Sequence, residues 1–338
     1  MERRSSTARL IRWVPWAVAV LVTASVVATA PADSAHSGST AAQLLGDRQL
    51  RIMAPAAPGG GWDQTAREMQ ASLQELVGRT EVYNVTGAGG TIGLSQFVRY
   101  EGDPSQLMAT GLIMVGAVKA NKSPVSLADT TPLIRLTTDA EVVAVPAESP
   151  LRSMSDLVNA MRTDLPSVSI AGGSAGGAEQ ILAGLLAQAV GADPAKMSYV
   201  AHSGGGEMLS TLLSGRATIA ISGVSELEPQ IKSGQVRALA VSSAQRAPTL
   251  PDVPTLRETG VDVELDNWRG VVAPKGISAE QEHVLEQLLL EMTRTPQWRA
   301  TLAERGWGDA TLVGPEFEEF LRVEQDRVSK VLDQIGLG

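Results

Sequence analysis

Short apolar runs alternate with longer amphipathic segments along most of the chain. The runs lie at residues 50–55, 81–85, 107–115, 168–171, 197–201, 217–222, 236–242 and 270–273. Several are too short and too uniformly apolar for strands with one wet face, and they predict strands of parallel sheets covered on both sides. Between them, apolar residues recur at helical spacing: Ala66, Met69, Leu73 and Leu76; then Val284, Leu285, Leu288, Leu289 and Met292; then Phe317, Leu321, Val328, Leu332 and Ile335. This alternation predicts an α/β fold of mainly parallel sheets flanked by helices. Residues 137–145 read as a strand crossing from one lobe to another. Residues 246–260 carry Pro248, Pro251 and Pro254 and read as an extended linker crossing back. Two crossings place 46–139 and 246–338 in one lobe and 140–245 in a second, with the ligand cleft between them.

The strand at 50–55 runs into Ala57-Pro58-Gly59-Gly60-Gly61-Trp62-Asp63, and a helical pattern follows over 64–77. Glycines there turn the backbone tightly and leave its N–H groups unshielded, and the helix start behind them adds a positive dipole end. Together they make a seat for a carboxylate or phosphate. The device recurs at Gly87-Ala88-Gly89-Gly90, Gly172-Gly173-Ser174-Ala175-Gly176-Gly177 and Ser203-Gly204-Gly205-Gly206. Four such turns after strands point to a small anion held at the carboxyl edge of the sheets.

Individual roles follow from residue type. Gly59, Gly60 and Gly61, after Pro58, are expected to offer N–H groups to one carboxylate. The turn from Gly173 through Ser174, Ala175, Gly176 and Gly177 is expected to take a second, with the Ser174 hydroxyl. Ser203, Gly204 and Gly205 would form a further wall. Gly89 and Gly90 lead to Thr91, which either donates its hydroxyl to the ligand or caps its helix. Ser222 ends a strand and is expected to reach the cleft. Trp62 walls the pocket or packs in the core. Asp63 complements the helix dipole or, if it faces the ligand, favours a hydroxyl, an ammonium or a water. Arg269 grips a carboxylate with two parallel hydrogen bonds or pairs with Asp266 or Glu264. Tyr199 and His202 read as interior residues, and Glu179, Glu207 and Glu226 as solvated or capping ones.

Composition narrows the classes. Arg3, Arg4, Arg9 and Arg12 precede an apolar stretch over 13–30 that ends in Ala28-Thr29-Ala30, so residues 1–30 are expected to be a cleaved secretory signal and 31–45 a flexible lead-in. The chain has 338 residues and a formal net charge of −9, and the balance is more acidic once the leader's arginines are gone. With no basic stripe, nucleic acid is not an expected partner. There are 0 cysteines and 3 histidines (His36, His202 and His283), which excludes disulfides, thiolate sites and a lipid anchor on cysteine, and argues against a histidine-rich metal site. No cofactor is expected: the glycine turns do not fit G-x-G-x-x-G, and no P-loop is present. Gly172-Gly173-Ser174-Ala175-Gly176 does match G-x-S-x-G, so a secreted serine hydrolase is the alternative, with Asp193 and His202 or Asp266 and His283 completing a triad.

Three segments resemble one known family. Residues 55–63 are similar to the first ligand loop of the tripartite tricarboxylate transporter substrate-binding proteins, the TctC or Bug family. Asn84-Val85-Thr86-Gly87-Ala88-Gly89-Gly90 resembles its second signature, with Val85-Thr86 where most members carry Arg-Pro. Arg246-Ala247-Pro248-Thr249-Leu250-Pro251-Asp252-Val253-Pro254-Thr255, followed by Glu258 and Gly260, resembles its linker motif. The resemblance spans about 48–338. It implies a two-lobed, periplasmic-binding-protein-like fold, a monomer without catalysis, exported from the cytoplasm, that closes on a small organic acid and delivers it to integral-membrane permease subunits. Trp62 and the Asn267-Trp268-Arg269-Gly270 segment look like the branch named for tricarboxylates. That implies a citrate-like acid, with Trp268 and Arg269 at the site.

Overall fold

The computed structural model describes residues 41–202 and 205–337, so the expected signal over 1–30 and most of the lead-in lie outside the described residues. Residues 41–45 are helical, not a loose lead-in. The reason is an i,i+4 apolar pair: Ala41 and Leu45 are buried in one cluster with Leu50, Met69 and Leu73.

Ten strands form one hydrogen-bonded sheet among the described residues: β1 (Leu50–Ala54), β2 (Thr80–Asn84), β3 (Gln106–Gly111), β4 (Thr130–Pro146), β5 (Ser169–Gly172), β6 (Ser198–Ala201), β7 (Ile219–Gly223), β8 (Val236–Val241), β9 (Asp266–Pro274) and β10 (Gly308–Val313). The order is β2-β1-β3-β9-β4-β7-β5-β6, with β8 and β10 also on β4. The two wings, β2-β1-β3 and β6-β5-β7, are parallel. The centre is antiparallel, where β4 meets β9, β10, β7 and β8. The fold is therefore mixed α/β, with helices between the parallel strands. β4 pairs with β9 over Thr130 to Ala140 and with β7 from Glu141 onward. One strand thus changes partners at its midpoint.

Three further segments differ from the sequence-based expectation. The strand predicted at 107–115 stops at Gly111, and Leu112–Ala120 is a helix. Leu112, Met114, Val115 and Ala117 are all buried. A helix covered nearly all round looks like a buried strand in pattern. β10 was not expected: it is a half-exposed edge strand with little apolar alternation. The proline-rich segment 246–260 is folded into turns rather than extended, with Leu250 N–H on the Ala247 carbonyl and Val253 N–H on the Leu250 carbonyl. Arg246 Nε closes it by donating to Glu258 at 2.9 Å.

Helix starts differ in a way that matters below. Ser153, Ser278 and Thr295 each cap a helix with a side-chain oxygen. The helices Gly61–Val77 and Ala178–Ala189 start after Gly60 and Gly177 with no side-chain cap. Their first N–H groups have no intrahelical acceptor either. Among the described residues, no helix is long and apolar enough to cross a membrane.

On β9, Trp268 is 1% exposed and packs edge-on against Phe317 and Phe320 at 6.1 and 5.3 Å. This seat belongs to the core under the helix Gly314–Gln334. Trp268→Ala is expected to cost about 3–5 kcal/mol by cavity formation, measured by denaturant unfolding. A loss below about 1 kcal/mol would show that the ring is not holding that helix down.

Candidate functional site

A cavity of about 880 Å³ lies where the glycine turns meet the middle of the sheet. Pro58, Gly59, Gly60, Gly61 and Trp62 form one wall, and Gly87 through Gly90 continue it. Gly173 and Ser174, Gly205 and Gly206, and Ser222, Gly223, Ser225, Glu226 and Leu227 come from the other turns and from β7 and its following helix. Asn267 and Arg269 enter from β9.

Two of the N–H groups expected to face a ligand are used inside the first turn. Gly59 N–H donates to Asp63 Oδ2 at 2.7 Å, and Gly60 N–H donates to the Ala57 carbonyl at 3.0 Å. Asp63 is 2% exposed and does not line the cavity. It also accepts from Arg67 Nε at 3.0 Å and Asn84 Nδ2 at 2.8 Å. Burial alone would raise its pKa, but the hydrogen bonds from Arg67, the Gly59 amide and Asn84 outweigh it and hold the carboxyl below its ordinary value. Asp63 is thus the brace of the loop. The N–H groups left over are those of Gly61, Trp62 and Asp63, the first turn of the helix.

The remaining expected residues divide in the same way. Gly89, Gly90, Ser174, Gly205, Ser222 and Arg269 line the cavity. Gly89 sits at φ +60, and a Cβ there would fall 2.5 Å from the Ala117 methyl and 3.7 Å from Ser174 Oγ, which brings the second and third turns side by side. Trp62 does both things expected of it: it is buried in the core and reaches the cavity. Thr91 lies away from the cavity, its hydroxyl on the Ala88 carbonyl at 2.9 Å. Ala175, Gly176 and Gly177 also turn away. Gly176 N–H donates to Gln180 Oε1 and Gly177 N–H to the Ser174 carbonyl. Trp268 is on the core face of β9, with its Nε1 on Glu324. Ser203 and Gly204 lie outside the described residues.

Arg269 pairs with neither Asp266 nor Glu264 but with Asp139 on β4, Nη2 to Oδ2 at 3.2 Å. It is 5% exposed, and its guanidinium lies 4.8 Å from the Trp307 ring centroid. Its Nη1 has no hydrogen-bond partner among the described residues. A Cβ at Gly61 would meet Nη2 at 3.0 Å, so the helix start and the guanidinium share one corner. Five N–H donors in a fixed fork, one nitrogen unused, beside a bare helix start, are suited to a carboxylate.

The opposite wall is acidic, and sequence patterning did not reveal it. Glu179 is 8% exposed and lines the cavity, and its Oε2 has no partner. Glu226 projects from the helix Val224–Lys232 and accepts from the Ser222 hydroxyl at 2.9 Å. Glu141, next but one to Asp139 on β4, accepts from Asn267 Nδ2 at 3.0 Å through one oxygen and has no partner on the other. Burial pushes Glu179 up to about 7, and Glu226 adds to the rise. Burial, then repulsion from Glu179, Asp139 and Glu226, pushes Glu141 well above the carboxylate range. Burial also raises Asp139, against the pull of Arg269 and Ser225. Tyr199 donates to the Gly173 carbonyl at 3.0 Å, and burial followed by Glu179 and Glu141 raises its pKa.

Among the described residues, His202 is not positioned as a base for Ser174. The two ring nitrogens of His202 are engaged by the Gly172 carbonyl at 3.0 Å and the Thr211 hydroxyl at 2.8 Å. Asp193, its expected orienting acid, caps a short helix through the Ala195 N–H. A nucleophile must sit within hydrogen-bond reach of its base, and these contacts direct His202 elsewhere.

The chain is similar to known proteins over most of its length. Residues 65–337 match the model of the tripartite tricarboxylate transporter family receptor. A UPF0065 protein from the tcbD–tcbE intergenic region of a Pseudomonas species is 30% identical over 266 residues, 76% of this chain and 77% of that protein. The structure of the periplasmic binding protein BugD is similar at a TM-score of 0.74 and 25% identity, covering 86% of this chain and 98% of that one. The R. palustris protein Rpa4515, solved with adipate, is similar at a TM-score of 0.76 and 25% identity, over the same 86% and 98%.

The raised pKa of Glu179 has a stability consequence with a definite sign. The folded state prefers the protonated acid, so its contribution is fully present below 4.5 and is lost as pH rises through about 7. Glu179→Gln removes that loss. Relative to the parent, the variant is expected to gain up to about 3 kcal/mol as pH rises across this window, read as a widening difference in Tm. A difference that stays constant with pH would contradict the assignment.

Proposed function

We propose that this chain, which belongs to the tripartite tricarboxylate transporter family of receptors, captures a small organic acid between two lobes and presents it to a membrane permease. The lobes are residues 46–139 with 246–338, and residues 140–245. They are joined by β4 and by the folded segment 246–260. The protein works outside the cytoplasm, as a monomer without catalysis of its own, after removal of the leader over 1–30. Closure over the ligand is the form the permease reads.

The observation that carries this reading is the corner between the helix Gly61–Val77 and Arg269. An uncapped helix start faces a buried guanidinium with one unpartnered nitrogen. Leaving a buried guanidinium nitrogen unpaired is costly, and one carboxylate satisfies it and the helix start together. The third turn, around Ser174, also lines the cavity and leads into another uncapped helix. It takes the far end of the ligand through Gly173, Ser174 and the Ser174 hydroxyl. The adipate in Rpa4515 supports a linear diacid as the first candidate beside citrate and other tricarboxylates.

A thermal-shift series with tri- and dicarboxylates tests the class. Ligand at about 100 times its Kd is expected to stabilise by roughly 2.7 kcal/mol. Gly61→Val is expected to abolish the shift, because its side chain would push against Arg269 Nη2 and cover the helix start. Ser174→Ala should weaken binding by about 1–2 kcal/mol, one hydroxyl contact. Unchanged affinity in both variants would remove the site. For the hydrolase alternative, covalent labelling of Ser174 by a serine-directed phosphonate would overturn the reading.

A further inference from the structure

A receptor whose cavity accepts only carboxylates has no use for carboxylates in its own wall, yet Glu179 and Glu226 both line this one. Behind them stand Asp139 and Glu141 on β4. The cationic side chain among the cavity-lining residues is Arg269, and Asp139 already balances it. Among the described residues, two acids therefore face the cavity without a matching positive charge. They are built in rather than incidental. Ser222 fixes Glu226, Asn267 fixes Glu141, and the lack of a side chain at Gly173 makes the room that Glu179 occupies, since a Cβ there would fall 2.5 Å from its Oε1.

Two unsatisfied atoms at the cavity wall point to what fills it. Arg269 Nη1 lacks an acceptor, and Glu179 Oε2 lacks a donor. Each side chain is more than nine-tenths buried, where an unpaired polar group is most costly. A diacid answers the first and repels the second. We infer that the ligand of this cleft carries a protonated amine as well as a carboxylate, the carboxylate on the Gly61–Arg269 corner and the ammonium against Glu179 and Glu226. An ammonium offers three donors and no acceptor, which suits two acidic side chains with free oxygens. It also supplies the counter-charge that lets Glu179, pushed up to about 7 by burial and by Glu226, ionise at neutral pH. This inference rests on the carboxylate-capture reading above and narrows it.

Isothermal titration of the mature protein at neutral pH with matched acids tests it: adipate against 6-aminohexanoate and 2-aminoadipate, and glutarate against 5-aminopentanoate. At least one amine-bearing acid is expected to bind about ten-fold or more tighter than its diacid partner, the scale of one charge-assisted hydrogen bond. Glu226→Gln, a change at an exposed side chain, should remove most of that preference by weakening the amine-bearing acids and, with one repelling charge gone, strengthening the diacids. A general packing defect would weaken both ligands together. Diacids that bind as tightly as the amine-bearing acids, in parent and variant alike, would overturn the inference and leave carboxylate capture standing. Binding by none of the acids would overturn both.

Discussion

The buried pair between Asp139 and Arg269 is the interaction around which the rest is arranged. It joins β4 to β9 where β4 is about to exchange one set of partners for another. Burying two charges is justified only when geometry and further hydrogen bonds compensate their lost hydration. Ser225 supplies one such bond to Asp139, and the Trp307 ring covers the guanidinium. The pair fixes where Arg269 can point, and so fixes the corner it makes with Gly61. Removing Asp139 would leave an uncompensated cation beside the cavity, which is worse than removing both residues.

That corner is matched by its opposite. Helix starts and a guanidinium favour negative charge on one side, and Glu179 and Glu226 favour positive charge on the other. The net charge of the chain says nothing about this division, because the fields that matter are local and act across one cavity. An acidic protein can hold an anion, and an anion site can share its walls with acids.

Much of the fold was legible from patterning, because parallel strands buried on both faces announce themselves as short apolar runs. The turns were legible because glycine marks them. What patterning missed has physical causes. The helix Leu112–Ala120 is buried on nearly every side, so its pattern lacks the polar stripe that separates helix from strand. On β9, Asn267 and Arg269 face the cavity while Trp268 faces the core. Strand parity alone would have separated Trp268 from Arg269. The acidic wall had no local signal at all. Glu141, Glu179 and Glu226 are far apart in the chain and meet only through the order of β4, β5 and β7. Asp63 did carry a signal, an acid in the first helical turn, but its task of bracing the preceding glycine loop needed Asn84 from β2 to become visible.

The brace at Asp63 has a kinetic meaning. A glycine-rich loop is ordinarily loose, and a ligand that must order it loses part of its binding free energy in doing so. Here the loop closes on its own helix through the Gly59 amide, a contact that needs no ligand. The seat is preorganised, and encounter with a ligand does not wait for it to form. Competing acids would then enter at similar rates, and the protein would tell them apart by how long each one stays.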